Sequence, residues 1–240
     1  MINHSKTAKV ILIRHAQSTW NAQTRFTGWA DPPLTALGVS EAQKAGELLA
    51  ESDIHFDMVY TSVLQRAKQT ADIILETTGQ THLPQKSDWR LNERHYGQLQ
   101  GLNKIEIAEK VGEEQVLKWR RGYLDKPQPL ADDDDRHPRF DAKYKDLPET
   151  LLPAAENLAD TQKRVLQFWS DTVEPAVKDG KTLLISSHGN TLRALIMALS
   201  NMSSKEVETF EIPTGIPIVY TLNQDASPKH WQYLKESEAA

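Results

Sequence analysis

The feature that most constrains this fold is an apolar stretch near the N-terminus, residues 10–13, which leads directly into Arg14 and His15. Its unbroken, mostly β-branched run predicts a central strand buried on both faces. A guanidinium and an imidazole at the end of such a strand are costly to bury without partners. Because open α/β sheets bind ligands beyond the carboxyl ends of their strands, His15 is a candidate site residue. The alternative is a histidine that is only hydrogen-bonded at a strand end.

A second stretch repeats this design. Residues 182–187 form another strand candidate, which leads into His188, Gly189 and Asn190. Two strand-end histidines, each followed by small or polar residues, are hard to explain by chance. The repetition favours a functional role for both.

The remaining hydrophobic patterns alternate between strands and helices. Further strands are predicted at residues 57–62, 83–87, 216–222 and 230–233, and helices from residue 35 onward and at residues 64–78, 103–111, 113–121, 157–177 and 191–199. This alternation is typical of a three-layer α/β/α sandwich with a mostly parallel central sheet. We expect a single domain over residues 1–240. Within it, residues 124–153 form a long proline-rich connection, and residues 225–240 form a mobile C-terminal tail.

The charge balance limits the possible partners. Lys+Arg number 28 and Asp+Glu 33, which gives a net charge of −5. This argues against a general nucleic-acid or anionic-membrane partner. There is no cysteine, so thiolate chemistry is excluded. Residues 1–9 lack a signal-peptide apolar region, and no apolar run approaches the ~18–20 residues of a membrane span. A cytoplasmic protein is therefore expected.

Most polar groups near strand ends and in irregular loops are cationic donors. Arginine forks match phosphate and carboxylate oxygens, and phosphoryl transfer requires positive charge spread around the phosphorus. Two histidines allow one nucleophile and one electrophilic partner, while Glu93 is the natural general acid and base. Considered alone, Arg66 could equally be an exposed arginine on a helix. Arg120 and Arg121 could serve only to offset the dipole at a helix C-terminus. The set comprises Arg14, His15, Asn21, Arg66, Glu93, Arg94, Lys104, Arg120, Arg121 and His188.

Other chemistries lack their motifs. The chain has no H-E-x-x-H, no phosphate-binding G-x-x-x-x-G-K-[ST] loop and no G-x-S-x-G elbow. The acidic run at residues 132–135 is typical of a solvated surface. We therefore expect no metal site.

Several of these stretches resemble a known family. Arg14-His15-Ala16-Gln17 resembles the R-H-G-E/Q signature of the histidine phosphatase superfamily. Over nearly the whole chain, apart from both ends and residues 124–157, the sequence is similar to cofactor-dependent phosphoglycerate mutase. The stretch at residues 93–97 is highly specific to the mutase branch. The similar stretches are residues 26–29, 60–67, 91–103, 119–122, 188–195 and 212–217.

This resemblance implies a phosphoglycerate mutase-like fold and a role for each matching residue. His15 would become phosphohistidine, Glu93 would shuttle the substrate proton, and His188 would stabilise the phosphoryl group in flight. Arg14, Arg66 and Asn21 would surround that group. The phosphoryl pocket would be lined by Ser18, Thr27, Gly28, Gly189 and Asn190. The rest of the substrate would be held by Arg94, His95, Tyr96, Lys104, Arg120 and Arg121.

The resemblance also implies priming by 2,3-bisphosphoglycerate, no metal, a small phosphorylated three-carbon acid as substrate and a homodimer. Two residues depart from the family pattern. Ala16 replaces glycine, which would cost about 1 kcal/mol if that position needs a positive φ. Gln17 replaces a common glutamate, which removes a negative charge near His15. Residues 154–157 also diverge, in a loop that could border the site.

The leading hypothesis is interconversion of 2- and 3-phosphoglycerate. The first alternative is a phosphatase of the same superfamily that acts on small phosphorylated metabolites; it needs water at the phosphohistidine, which a mutase must exclude. The second alternative is a binding protein without activity, against which the intact set of His15, Glu93 and His188 argues. In a mutase the C-terminal tail would close over the doubly anionic ligand.

Overall fold

The computed structural model describes residues 8–234, arranged around a six-stranded sheet. Its central strand is β1 (Lys9–Arg14), as the apolar run predicts. Val10 and Leu12 pack into the core on one face of the sheet, whereas Ile11 and Ile13 pack into the core on the other. Burial on both faces leaves only the ends of this strand for polar side chains.

The described elements follow one another in alternation, as expected. After β1 come α1 (Thr19–Ala22), α2 (Ala36–Glu51), β2 (Met58–Thr61), α3 (Gln65–Thr77), β3 (Gln85–Ser87), α4 (Lys104–Val111) and α5 (Glu113–Arg121). The second half contains α6 (Leu158–Phe168), α7 (Glu174–Lys178), β4 (Leu183–Ser187), α8 (Gly189–Leu199), α9 (Ser204–Thr209), β5 (Ile218–Leu222) and β6 (Pro228–Tyr233). Residues 124–153 contain turns and three 3₁₀ turns.

The strand order is β3-β2-β4-β1-β5-β6. The strands β3, β2, β4 and β1 are parallel to one another, whereas β5 is antiparallel to both β1 and β6. Helices α2 and α3 cover one face of the sheet through Leu49 and Ile74, and α6 and α8 cover the other through Phe168 and Leu195. The predicted α/β sandwich with a mostly parallel sheet is therefore confirmed.

The register of β1 on β4 brings both histidines to one edge of the sheet. Arg14 pairs with Ser187, and the His15 N–H donates to the Ser187 carbonyl at 2.8 Å. His188 leaves β4 immediately after that pair and serves as the N-cap residue of α8. The helix therefore begins at Gly189, two residues earlier than its apolar spacing predicts.

Three sequence expectations need correction. The helix predicted at residues 157–177 is divided by a π-helical turn, Trp169–Val173, between α6 and α7. Helix α9 was not predicted, although Ser203 and Glu206 form a capping box at its start. Residues 228–233 of the tail predicted at 225–240 form β6, in agreement with the strand predicted at 230–233; β6 pairs with β5, and the Trp231 and Tyr220 rings stack with centroids 6.0 Å apart. Residues 235–240 lie outside the described part, and so does the end of the predicted lid.

Across residues 8–234, no helix has both the length and the apolar character that a membrane crossing requires.

Candidate active site

His15 is placed as a neutral nucleophile. Its ring is 3% exposed, and Nδ1 lies 2.7 Å from the Ala16 carbonyl oxygen. Since a carbonyl only accepts, Nδ1 carries the hydrogen and Nε2 keeps a lone pair. Burial, followed by the positive charges of Arg66 and Arg14, lowers the pKa of His15 well below its usual value. The imidazole is therefore uncharged at neutral pH, and Nε2 holds the electron pair that can attack phosphorus once the hydrogen bond it accepts from Arg66 is released.

Arg66 holds this nucleophile from the first turn of α3. Its Nε donates to His15 Nε2 at 3.2 Å, and its two terminal nitrogens donate to the carbonyls of Ala30 at 2.8 Å and Gly28 at 2.9 Å. Burial lowers the pKa of Arg66 to about 10, so the guanidinium remains charged at neutral pH. These hydrogen bonds fix the plane of the Arg66 guanidinium beside the reacting nitrogen of His15, where it can stabilise a transferring phosphoryl group.

His188 lies against His15, with ring centroids 4.9 Å apart. Its Nε2 contacts the Ser62 hydroxyl at 2.7 Å, and that oxygen also accepts from the Leu64 N–H at 3.2 Å. With Ser62 donating to Nε2, Nδ1 carries a hydrogen, and this buried nitrogen has no partner among the described residues. Burial, Arg66 and His15 lower the pKa of His188. His188 is thus a neutral imidazole beside the nucleophile, and in the tautomer in which Ser62 donates to it, Nδ1 is a donor. Ser62 is a positioning residue that the sequence did not reveal.

Glu93 is the carboxylate of the site. Its Oε1 accepts from the backbone N–H groups of Arg94 at 2.7 Å and Asn190 at 3.3 Å. It is 9% exposed and lines the same cavity as His15. The two N–H groups orient one carboxylate oxygen, so that the other is left to exchange a proton with a ligand.

One cavity brings together most of the predicted site. Two of its residues carry buried polar atoms without a protein partner in the described part of the chain, namely Arg14 Nε and Thr27 Oγ1. Unpartnered donors that face a cavity are suited to an anion. The predicted residues in its lining are Arg14, His15, Asn21, Thr27, Gly28, Arg66, Glu93, Tyr96, Lys104, Arg120, Arg121, Gly189 and Asn190.

Three of these lining residues supply additional positive charge. Lys104 begins α4, while Arg120 and Arg121 end α5. Burial and the neighbouring Arg120 lower the pKa of Lys104 to about 8. Arg121 is held by the Glu211 carboxylate. The cavity can therefore neutralise a second anionic group besides the one at His15.

Three predicted substrate-binding residues do not line the cavity. Ser18 caps α1, where its hydroxyl accepts from the Asn21 N–H. Arg94 is fully buried and donates to the carbonyls of Trp119 and Gly122, which fixes the end of α5. His95 accepts from the Gly97 N–H at 3.0 Å, and burial lowers its pKa to about 3. The structure thus gives these side chains supporting contacts instead of a place on the cavity wall.

Arg193 lines the cavity, although the sequence analysis did not select it. It donates to Asn190 Oδ1 at 3.0 Å and to the Val207 carbonyl at 3.1 Å, and Asn190 Nδ2 donates to the Tyr96 hydroxyl at 3.1 Å. Burial lowers its pKa to about 10. The spacing of Asn190 and Arg193 on one helix, three residues apart, was the available signal.

The two departures from the family pattern are accommodated. The described non-glycine residues with positive φ are Thr24, Asp53, Asn201 and Ala226, so Ala16 carries no such strain. The Gln17 side chain accepts from the Thr35 hydroxyl at 2.9 Å, and it does not line the cavity.

Comparison with known proteins identifies the family and the fold. The sequence matches the histidine phosphatase superfamily (branch 1) over residues 10–133 and 125–232. Among similar solved structures is the alpha-ribazole phosphatase from Shigella flexneri, with 25% identity over 92% of this chain and 94% of that one, at a TM-score of 0.67. Another is a mycobacterial glucosyl-3-phosphoglycerate phosphatase, with 22% identity over 94% of this chain and 96% of that one, at a TM-score of 0.67.

A third is the phosphoglycerate mutase from Bacillus anthracis, with 23% identity over 95% of this chain and 93% of that one, at a TM-score of 0.63. These likenesses confirm the phosphoglycerate mutase-like fold. The family match covers nearly all of the described sequence and includes both strand-end histidines. The chain belongs to the histidine phosphatase superfamily.

Proposed function

We propose that the protein interconverts 2-phosphoglycerate and 3-phosphoglycerate through a phosphohistidine at His15. The observation that carries this proposal is the cluster of Lys104, Arg120 and Arg121 in the cavity that contains His15. A phosphoglycerate has two anionic groups, a phosphate and a carboxylate. A cavity with cations around the nucleophile and three further cations suits a ligand of that kind.

The proposed chemistry uses groups that the structure places together. The hydroxyl of a phosphoglycerate attacks the phosphorus of phosphorylated His15; a P–O bond forms as the P–N bond breaks, and Glu93 takes the hydroxyl proton, which gives 2,3-bisphosphoglycerate. His15 Nε2 then attacks the phosphorus of the other phosphate and forms a new P–N bond as that P–O bond breaks. Glu93 returns its proton to the departing oxygen, which leaves as the hydroxyl of the isomeric phosphoglycerate. Arg66 and the His188 N–H supply positive charge and a hydrogen bond to the phosphoryl oxygens.

Priming by 2,3-bisphosphoglycerate is part of the proposal. The residues present fit a doubly phosphorylated ligand, because Arg14 Nε and Thr27 Oγ1 are unpartnered donors and three cations line the rest of the wall. Arg14 and Arg66 would hold one phosphate, while Lys104, Arg120 and Arg121 would hold the other. When bound, the bisphosphate supplies the phosphoryl group that His15 needs before the first turnover. We place this reaction in the cytoplasm, with no metal.

The second candidate function is hydrolysis of a small phosphorylated metabolite. Two of the three similar structures above are phosphatases, and this supports hydrolysis better than it supports isomerisation. Hydrolysis needs the same His15 nucleophile, with water in place of the glycerate hydroxyl. The mutase proposal therefore depends on the additional cation cluster and on the mutase-like stretch at residues 93–97.

A steady-state assay distinguishes these functions. Purified protein is given 3-phosphoglycerate with and without 2,3-bisphosphoglycerate, and both 2-phosphoglycerate and free phosphate are followed. The proposal predicts 2-phosphoglycerate formation that depends on the bisphosphate, with little free phosphate. Free phosphate without 2-phosphoglycerate would establish the phosphatase. If neither product formed, the mutase proposal would be wrong, and phosphate release from a panel of other small phosphorylated metabolites would decide between the phosphatase and a binding protein.

A further inference from the structure

Arg164 forms a buried ion pair outside the cavity. Its Nε and Nη2 donate to the two carboxylate oxygens of Glu156 at 2.7 Å and 2.9 Å. Arg164 is 6% exposed and Glu156 is 4% exposed. An apolar pair of similar volume often stabilises a fold as well as a buried ion pair does, so stability alone is a weak reason for this one.

The remaining donors of Arg164 hold the backbone that carries Glu93. Nη1 donates to the carbonyls of Arg90 at 2.7 Å and Asn92 at 2.8 Å, and Nη2 donates to the Glu93 carbonyl at 2.9 Å. A guanidinium has five N–H donors in one fixed plane, and here the ion pair and three carbonyls use all of them. No other side chain type presents that arrangement.

Glu156 contacts the same segment after Glu93, at His95. Its Oε2 accepts from the His95 N–H at 2.9 Å, and its own N–H donates to the His95 carbonyl at 2.9 Å. The ion pair therefore contacts the backbone both before and after Glu93. This matters because the segment has no strand ladder, and only a short 3₁₀ turn, Trp89–Leu91, precedes Glu93.

We propose that Arg164 and Glu156 are positioning residues that fix the Glu93 carboxylate at the distance required for proton transfer. The proposal rests on the function proposed above, in which Glu93 exchanges the substrate proton. Neither side chain lines the cavity, so they act through the Glu93 backbone. Small displacements of a proton-transfer group reduce turnover strongly, whereas substrate binding by Lys104, Arg120 and Arg121 does not depend on Glu93.

The test is a double-mutant cycle between Arg164→Lys and Glu93→Gln. Lysine keeps the charge but cannot contact Glu156 and three carbonyls at once. We expect Arg164→Lys to lower kcat about tenfold or more, with KM changed by less than about threefold. In the Glu93→Gln background the same substitution should lower kcat by less than about twofold, because the group it positions is absent.

A matched control is Arg90→Lys. The Arg90 side chain lies next to the same segment but pairs with Asp88 at 2.8 Å and Asp171 at 2.9 Å, and its carbonyl is retained. This variant should keep the kcat of the unmodified protein. If Arg164→Lys does not fold, Glu156→Gln replaces it in the cycle, since this change leaves Arg164 free to donate to the three carbonyls but weakens the contact with His95.

A substrate with a good leaving group adds a second readout. Release of 4-nitrophenolate from 4-nitrophenyl phosphate needs little help from an acid, so Arg164→Lys should reduce that reaction much less than turnover of phosphoglycerate. Equal losses for both substrates, or full independence of the two substitutions in the cycle, would overturn the positioning role. Failure of the unmodified protein to phosphorylate His15 would instead contradict the proposed function.

Discussion

His15 lines the cavity and His188 is fully buried against it, and both are neutral imidazoles close to guanidinium groups. Burial is the first cause of their lowered pKa values, and the charges of Arg66 and Arg14 add to it at both residues. The same positive charge that disfavours imidazolium favours an anionic phosphoryl group. One arrangement of arginines therefore keeps the nucleophile uncharged and stabilises the group that it receives.

The lowered pKa of Lys104 predicts that kcat/KM depends on pH. Its lowered pKa, about 8, means that the free protein loses this positive charge as the pH rises through that value. We expect kcat/KM for 3-phosphoglycerate to fall on the alkaline side with an apparent pKa near 8, measured from about pH 6.5 to about pH 9.5. Lys104→Arg keeps the charge and should extend the plateau to higher pH. Coincident profiles for the two proteins would show that Lys104 does not titrate there.

Glu93→Gln tests the proton transfer directly. The amide keeps the size of the side chain but cannot exchange the substrate proton, so we expect kcat to fall by about 10²–10⁴ with little change in KM. Glu114→Gln is the control, since Glu114 is exposed and pairs with Lys118 on the surface of α5. A fall in kcat of less than about tenfold for Glu93→Gln would mean that this carboxylate is not the acid and base.

At the scale of elements, β1 and β4 end directly before the two histidines, and loops between elements form much of the cavity wall. The strands were predictable because β-branched runs have a strong local pattern, as at β1 and β4. His15 and His188 were predictable because each directly follows one of these strands. Ser62 and Arg164 were missed because each contributes through contacts with residues far away in the chain. Arg193 had a local signal, its spacing from Asn190, which the sequence analysis did not use. Arg94 was selected as a polar group in an irregular loop, and the family resemblance added His95. Neither argument could distinguish a residue of the cavity wall from one that supports it.

Substitution of Gly97 tests whether the backbone path of the loop that carries Glu93 is fixed. Its φ is +54°, and an added Cβ would overlap the Gln128 carbonyl oxygen. Gly79 is the matched control, with a φ of +68° and no atom within 4 Å of an added Cβ. Alanine at either position carries the left-handed cost of about 1–2 kcal/mol. Only Gly97→Ala adds the overlap, about 1–3 kcal/mol more.

Thermal unfolding of both variants measures this difference. The Tm of Gly97→Ala should lie at least about 2–4 °C below that of Gly79→Ala. Equal Tm values would show that the loop moves away from the added methyl group, and that residue 97 does not constrain the path of the loop.

At the scale of the whole molecule, the outer strands of the sheet are β3, with three residues, and β6, with six. All three residues of β3 are exposed, and its outer edge pairs with no other described strand. We propose a homodimer, as the family resemblance implies. Light scattering at micromolar concentration should give twice the chain mass of 27.1 kDa. A single-chain mass at that concentration would contradict the dimer.

The central claim is that His15 carries the phosphoryl group between substrates, and a trapping experiment with a chase tests it most directly. Protein is incubated with radiolabelled 2,3-bisphosphoglycerate, freed of ligand and then mixed with unlabelled 3-phosphoglycerate. We predict an acid-labile, base-stable label on His15, absent from His15→Ala, that passes to phosphorylated glycerate in the chase and not to free phosphate. Label on His188, or label retained in His15→Ala, would contradict the account.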